Sequence, residues 1–529
     1  MEREVKFAAS PAYELPDLRR LVGATERLPA QSLTTTYCDT VDLRLWRRGL
    51  TLRFRAGEEP AGGGKWTLKL PGEAASDALE RTELSWEGES ETVPPEAEQL
   101  IKGIVRRAVL GRVVQLESTR RRLLLIDRRG TVLGEIDDDV VTVIGGARDG
   151  FRFRQIEFEY SGEPDADVVT AILKKITKAG AQLDHEQKFA KSLGISALAS
   201  SVAPAPALAR AANKKKGGHK KKQHADVVSL GSVVQQSILG ALDRILDHDY
   251  RLRLSPADPP THAVHQARVA CRRLRSDLKT FGPLLDPVWL DHTTTELRWM
   301  GNVLGRVRDA DVLGHRLADE ATDGPFEAQG QQELGSILAS ERRQFAAELA
   351  EALEGRRYLK LLERLYAAAE APPFLVHGKV KGKGKAGRRR LIDGPAQAAL
   401  PELVGAQWKA LERRRRKAGH HPSDHELHRI RIGAKQLRYA AEAATPVMGK
   451  AARRTARQAE SVQTVLGDHH DAVTAAEWLQ RAAANGTSAA SFEAGALTAT
   501  QRRRQRALRR QWKGPWSALK AKKSKQWLR

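Results

Sequence analysis

Along the first strand-like stretch Glu2, Glu4 and Lys6 share one face, while Arg3, Val5 and Phe7 share the other. A half-buried strand ordinarily alternates apolar residues with solvated polar ones. Here the polar face carries acids and bases together, and the pattern recurs. Leu52 and Phe54 alternate with Arg53 and Arg55; Trp66, Leu68 and Leu70 with Thr67 and Lys69; Thr82, Leu84 and Trp86 with Arg81 and Glu83; Ile156, Phe158 and Tyr160 with Glu157 and Glu159. Five such strands in one segment predict a closed sheet whose interior is charged. A lumen lined by carboxylates and by Lys/Arg suits a metal ion bound to a polyanion.

The chain has 529 residues, which calls for two or three domains. Its net charge of +24 attracts polyanions of any kind, whether nucleic acid, acidic headgroups or phosphate chains. Cys38 and Cys271 lie far apart, which excludes a disulfide framework or a cysteine zinc site. The MEREVKF start has no signal core and no apolar run is long enough to span a membrane, so a cytoplasmic bacterial protein without membrane insertion is expected.

Residues 1–195 read as strand-rich, with strands near 2–7, 34–39, 50–56, 65–70, 80–86, 118–126, 131–142 and 151–160, and a helix over 165–179. Residues 196–225, with Lys214–Lys216 and Lys220–Lys222, form a basic flexible linker. From 226 to 520 the pattern is helical, in halves of about 226–370 and 395–520 joined by a basic Gly-rich linker at 376–392. The fold class is therefore multidomain: an N-terminal antiparallel β-barrel tunnel with accessory helices, then an all-α domain of two duplicated bundles.

The duplication is visible in register. His265 is followed by Arg268, Arg272 and Arg275, and His428 at the same offsets by Arg431, Lys435 and Arg438. Leu-Gly-Arg-Val-Arg-Asp ends at Asp309 and Leu-Gly-Asp-His-His-Asp at Asp471. Two similar bundles around a pseudo-twofold follow. Each basic series falls on one helix face, with Arg273 on the flank of the first and Lys409 and Arg413 to Arg416 on a helix preceding the second. Asp309 and Asp471 read as partners that hold these cations, assisted by Arg308 and Asp311. Ser423 and Pro422 place a helix start after His421, so His421, His425 and His428 read as phosphate-facing or capping residues, not a metal site.

Glu2-x-Glu4-x-Lys6, Tyr37-Cys38-Asp39-Thr40, the Arg53/Arg55 strand, Lys69, Arg81 with Glu83 and Glu157-x-Glu159 stand in an order that resembles the CYTH family of triphosphate tunnel enzymes. The resemblance spans about 1–195. A phosphate chain needs several cationic donors along its length, and Lys6, Arg53, Arg55, Lys69, Arg81, Arg120, Arg122 and Lys188 can supply them. Hydrolysis of a phosphoanhydride needs charge stabilisation and an aligned water. Mg2+ or Mn2+ held by Glu2, Glu4, Glu157, Glu159 and Asp137, with Glu135 next, would provide both. Lys6, Glu4 and Arg53 are the expected catalytic set, with Lys6 orienting water or holding the terminal phosphate. In the Arg120–Arg122 run at least one side chain must point outward. Asp139 reads as a turn residue, Asp39 as a turn carboxylate and Tyr37 as wall packing.

The helical region resembles a CHAD domain, the conserved-histidine α-helical module, over about 226–520. That resemblance implies polyphosphate binding by His265, Arg268, Arg272, Arg273, Arg275, His428, Arg431, Lys435 and Arg438. Aromatic residues total 5%, which speaks against single-stranded nucleic acid bound by stacking, although duplex binding through charge stays open. The expected function is metal-dependent hydrolysis of inorganic triphosphate or short polyphosphate in the tunnel, with polyphosphate captured by the helical domain and a location at polyphosphate granules. Thiamine triphosphatase or class IV adenylate cyclase activity, a non-enzymatic polyphosphate scaffold and a basic chromosome- or RNA-associated protein are the alternatives; oligomeric state is left open.

Overall fold

The computed structural model describes residues 2–58, 63–71, 82–161, 165–195, 228–321, 328–375 and 392–528. Both linker stretches fall largely outside these residues. The chain divides into two compact units, Met1–Pro204 and Ala205–Arg529. No helix among the described residues is long and apolar enough to cross a membrane.

The first unit contains β1 (Glu2–Ala9), β2 (Ala24–Asp39), β3 (Thr51–Ala56), β4 (Gly64–Lys69), β5 (Glu83–Gly88), α1 (Pro95–Val105), β6 (Gly111–Ile126), β7 (Val132–Ile144), β8 (Arg152–Ser161), α2 (Ala166–Lys178), β9 (Gln182–Leu183) and α3 (Lys188–Leu193). The strands form one sheet in the order β5-β4-β3-β2-β6-β7-β8-β1-β9, antiparallel throughout. Register carries the charge pattern from strand to strand. Lys6 stands opposite Glu157, which stands opposite Asp137; Glu4 stands opposite Glu159, which stands opposite Glu135. Farther along the sheet, Lys69 faces Thr51 on one side and Glu83 on the other. Cross-strand neighbours share a face, so acids and bases gather on one side of the sheet.

The opposite face is apolar. Phe7, Ile136, Ile156 and Phe158 bury against Val169, Ile172 and Ile176 of α2. Glu4 and Lys6 of β1 line the same cavity as Glu83 and Ser85 of β5, from opposite ends of the strand order. The sheet therefore curls until its ends meet. Among the described residues no ladder joins β5 to β9.

Three departures from the sequence reading have physical causes. β2 begins at Ala24, well before 34, because its first half is mostly exposed and shows no one-sided apolar pattern. Helix α1 was not expected; its apolar residues cluster at Leu100, Ile101, Ile104 and Val105, late in a short segment. Asp139 is not a turn residue: it is buried within β7, opposite Arg120 of β6.

The second unit runs α4 (Leu230–Leu254), α5 (Thr261–Phe281), α6 (Pro287–Ala321), α7 (Ala328–Glu354) and α8 (Arg356–Glu370), then α9 (Ala396–Lys417), α10 (Asp424–Met448), α11 (Lys450–Asn485), α12 (Ser488–Gln511) and α13 (Lys513–Lys520). His265 and His428 each occupy the fifth position of their helices, α5 and α10. A capping box between Ser423 and Glu426 starts α10, leaving His421 outside it. The two halves share one core: Leu274 and Leu278 of α5 belong to the same buried cluster as Leu437 and Ala441 of α10.

One polar group anchors α4 within this core. Buried Asp249 accepts from Arg253 Nε and from the Tyr358 hydroxyl, both at 2.8 Å, and Arg253 also reaches Glu354 at 2.5 Å. Removing one partner of a buried pair strands the other charge. Asp249→Ala should lower unfolding stability by ~3 kcal/mol in denaturant titration; a loss under ~1 kcal/mol would show that Glu354 and the Leu353 carbonyl suffice for Arg253.

Candidate active site and anion cavity

The curled sheet encloses a cavity of about 250 Å³ lined, among the described residues, by seven cationic side chains and five carboxylates. The charges are divided. Carboxylate oxygens of Glu4, Glu157 and Glu159 lie within 4.8 Å of one another. Burial, then the nearness of Glu4 and Glu157, pushes the Glu159 carboxyl up to about 7. Glu157 is buried too, yet Lys188, Lys6 and Arg120 hold its carboxyl well below the usual range. Three hard oxygen donors that repel one another fit a divalent cation of the Mg2+ or Mn2+ type.

In the remaining wall Arg53, Arg55, Lys65 and Lys69 outnumber Glu58 and Glu83. Arg55 donates to Thr35 Oγ1 at 3.1 Å and to Glu58 at 2.9 Å. Lys69 lies 2.5 Å from Glu83, and burial followed by the Arg53 charge depresses its ammonium pKa. Arg53 is enclosed as well, and its Nε has no hydrogen-bond partner among the described residues. Tyr37 packs its ring 5.2 Å from Phe189; although burial acts the other way, Arg53, Arg55 and Lys188 lower its hydroxyl pKa.

Lys6 stands among the carboxylates, 3.0 Å from Glu4 and 3.4 Å from Glu157. Lys188 contacts Glu157 at 2.7 Å and Asp139 at 2.5 Å; Arg120 contacts Asp139 at 2.8 Å and also pairs with Asp137. Asp137 lies behind this layer rather than in the three-carboxylate cluster, and burial raises its carboxyl to about 8 against the pull of Arg120. Arg122 does not line the cavity; its Nη2 donates to Glu135 at 2.9 Å. Arg121 points outward and is exposed. Asp39 is buried and accepts from the backbone N–H groups of Thr40, Leu45 and Trp46, which tightens the turn after β2. The Glu2 side chain and Arg81 lie outside the described residues. Lys65 and Gln187 line the cavity without having been singled out. Lys65 was accessible to the same reasoning, because it alternates in phase with Thr67 and Lys69.

The helical unit holds a second cavity, of about 410 Å³, where α5 contributes His265, Arg268 and Arg272 and α10 contributes His428 and Arg431. Arg308 and His470 line it from twin positions of α6 and α11, and the His428 and His470 rings lie 4.2 Å apart. Arg268 meets Asp309 at 3.0 Å, and Arg431 meets Asp471 at 3.9 Å. Like charge crowds here away from water. Burial, then Arg272, Arg431 and Arg268, brings Lys435 down to about 6. Burial, then His428 and Arg431, brings His470 down to about 4. Asp311 is occupied elsewhere, 2.6 Å from Arg342.

Four residues of the expected basic face do not line the cavity: Lys435, whose ammonium is crowded by Arg272 and Arg431, and Arg273, Arg275 and Arg438. Arg273 pairs with Glu442 at 3.1 Å, Arg438 with Glu442 at 2.7 Å and Glu460 at 3.0 Å, and Arg275 is pressed by Arg298. At 3.6 residues per turn, positions eight and ten beyond the histidine fall about 80° to either side of it. Among the described residues no histidine belongs to a metal-capable cluster.

The family model of the CYTH domain matches residues 1–191, and that of the CHAD domain residues 236–480. The chain thus consists of a CYTH domain followed by a CHAD domain. The CYTH family includes triphosphatases and adenylate cyclases, and its tunnel proteins depend on a divalent metal. Uncharacterized proteins MT2285 and Rv2226 of Mycobacterium tuberculosis are each 29% identical to it over 523 residues, covering 94% of this chain and 92% of theirs. The CHAD domain from the plant Ricinus communis aligns with 24% identity over 56% of this chain and 93% of its own, with a TM-score of 0.45. HpAC1 from Hippeastrum, described as having a dominant triphosphatase activity, is 14% identical over 39% of this chain and 98% of its own, with a TM-score of 0.25.

The Leu-Gly motifs have a steric role. A methyl group at Gly305 would stand 3.3 Å from Arg268 Nε, and one at Gly467 would stand 3.6 Å from Arg431 Nε. Each arginine crosses its neighbouring helix where a side chain is missing. Gly467→Ala should fit and raise stability by ~0.8–1 kcal/mol through helix propensity. Gly305→Ala should displace Arg268 and weaken polyanion binding several-fold. Thermal unfolding and titration with a phosphate chain check both; equal effects at the two positions would show that the glycines serve helix packing alone.

Proposed function

We propose that the CYTH unit hydrolyses inorganic triphosphate or short polyphosphate with a divalent cation, while the CHAD unit binds longer polyphosphate. The observation that carries this reading is the division of charge within one cavity: the Glu4, Glu157 and Glu159 carboxylates cluster at one part, and Arg53, Arg55 and Lys69 stand at another. A bound divalent ion would neutralise phosphoryl oxygens and polarise the bond to be broken. Arg53, Arg55 and Lys69 would hold the chain by charge-assisted hydrogen bonds along its length. Lys6 keeps Glu4 and Glu157 in place and presents an ammonium to the terminal phosphate or to the attacking water. Arg120 and Lys188 tie Glu157 to Asp139, fixing one wall of the acidic cluster.

The choice of inorganic over organic triphosphate rests on the wall. Tyr37 is the single aromatic among its described lining residues, and it packs on Phe189. Nothing else there offers a flat apolar surface to a thiamine or adenine ring. In the CHAD cavity, the depressed pKa values of His428 and His470 support an anion site, as does that of Lys435, which is crowded by the cavity's Arg272 and Arg431, because a polyanion would relieve the crowding that causes them. Both units fit a cytoplasmic protein placed at polyphosphate granules.

With Mg2+ or Mn2+ the full chain should release phosphate from tripolyphosphate, and chelation should abolish the release. Glu4→Gln should lower kcat ~100-fold or more, corresponding to about 3 kcal/mol of transition-state stabilisation. Arg431→Ala should spare tripolyphosphate turnover while weakening retention of long chains. Turnover that survives both chelation and Glu4→Gln would contradict the catalytic reading.

A further inference from the structure

The lining of the CHAD cavity is chemically mixed. His265, Arg272, His428 and Arg431 make the part contributed by α5 and α10 basic. Leu313, Leu338, Phe345 and Trp478 add apolar surface from α6, α7 and α11, continuous with the cluster that includes Leu334 and Leu479 and flanked by Arg306, Arg316 and Arg481. Glu341 also lines the cavity and accepts from Trp478 Nε1 at 2.8 Å. Arg306 lies over the Phe345 ring, 5.3 Å from its centroid.

Inorganic polyphosphate carries charge on every repeat, so the apolar side chains and the Glu341 carboxylate go unused by it, whatever the flanking arginines contribute. A molecule with phosphates at one end and a flat, hydrogen-bond-donating body at the other would use both. The cavity volume of about 410 Å³ lies within the range of roughly 300–1,000 Å³ usual for small-molecule sites. We propose that the CHAD cavity accepts a nucleoside triphosphate, with its phosphates among the His/Arg groups and its base against Phe345 and Leu338. Arg306 supplies a planar guanidinium beside the base, and Glu341 supplies an acceptor for an exocyclic amino group. This inference rests on the anion-binding reading of the same cavity and adds the organic end of the ligand.

The test uses the full chain carrying Arg53→Ala, which weakens phosphate binding in the tunnel, titrated with ATP and with tripolyphosphate without metal. Both ligands carry three phosphates. ATP should bind about tenfold tighter, a difference of ~1.4 kcal/mol. Phe345→Ala should remove that advantage and leave tripolyphosphate affinity unchanged, whereas Arg431→Ala should weaken both ligands. ATP that binds no tighter than tripolyphosphate overturns the proposal, as does Phe345→Ala acting equally on both. If Arg431→Ala affects neither ligand, the anion-binding reading itself fails. With Phe345 intact, 2-aminopurine riboside triphosphate gives an independent readout: stacking should quench its fluorescence on binding, and unquenched bound probe would overturn the proposal without any folding ambiguity.

Discussion

Charge held away from water, in excess of what neighbouring groups neutralise, is the constraint on which both units depend. Isolated like charges a few ångströms apart repel strongly when solvent is scarce. A fold that keeps them there must supply rigid backing and local counter-charges. In the CYTH unit the backing is a curled sheet whose outer face packs on Ile172 and Ile176 of α2. In the CHAD unit it is a shared core beneath α5 and α10.

A partner alone does not separate structural charges from binding ones, since Arg55 with Glu58, Lys69 with Glu83 and Arg268 with Asp309 are paired and still line a cavity. Arg122 with Glu135, Arg154 with Asp138 and Arg438 with Glu442 and Glu460 are pairs in which each charge has an evident partner. None of these arginines lines either cavity. Glu159 and Arg272 behave differently. Burial and nearby like charge move the Glu159 carboxyl up to about 7 and the Arg272 guanidinium down to about 10. Such groups gain most when a ligand of opposite charge arrives.

The inward face of the sheet was legible because strand alternation is strict: Glu4 and Lys6, Arg53 and Arg55, and Glu157 and Glu159 all line the cavity as their spacing implies. Asp139 was misread because three consecutive aspartates resemble a turn. Alternation instead turns Asp137 and Asp139 toward Arg120 and sends Asp138 to Arg154 at 2.7 Å. The duplication likewise brought His265 and His428 to equivalent helical positions. Helix periodicity already turns Arg273, Arg275 and Arg438 about 80° away from the histidine; what the duplication could not reveal is the partners that receive them, Glu442 and Glu460 among them. His470 escaped notice because its twin is an arginine, Arg308, so a match of residue types hides a match of place.

Anomalous diffraction at the manganese edge tests the divided tunnel site most directly, using crystals of the full chain grown with Mn2+ and a non-hydrolysable triphosphate. The account predicts a manganese peak among the carboxylates of Glu4, Glu157 and Glu159, with the phosphate chain running to Arg53 and Lys69. A peak centred on Asp137 and Glu135, or a triphosphate that avoids Arg53 and Lys69, would contradict it.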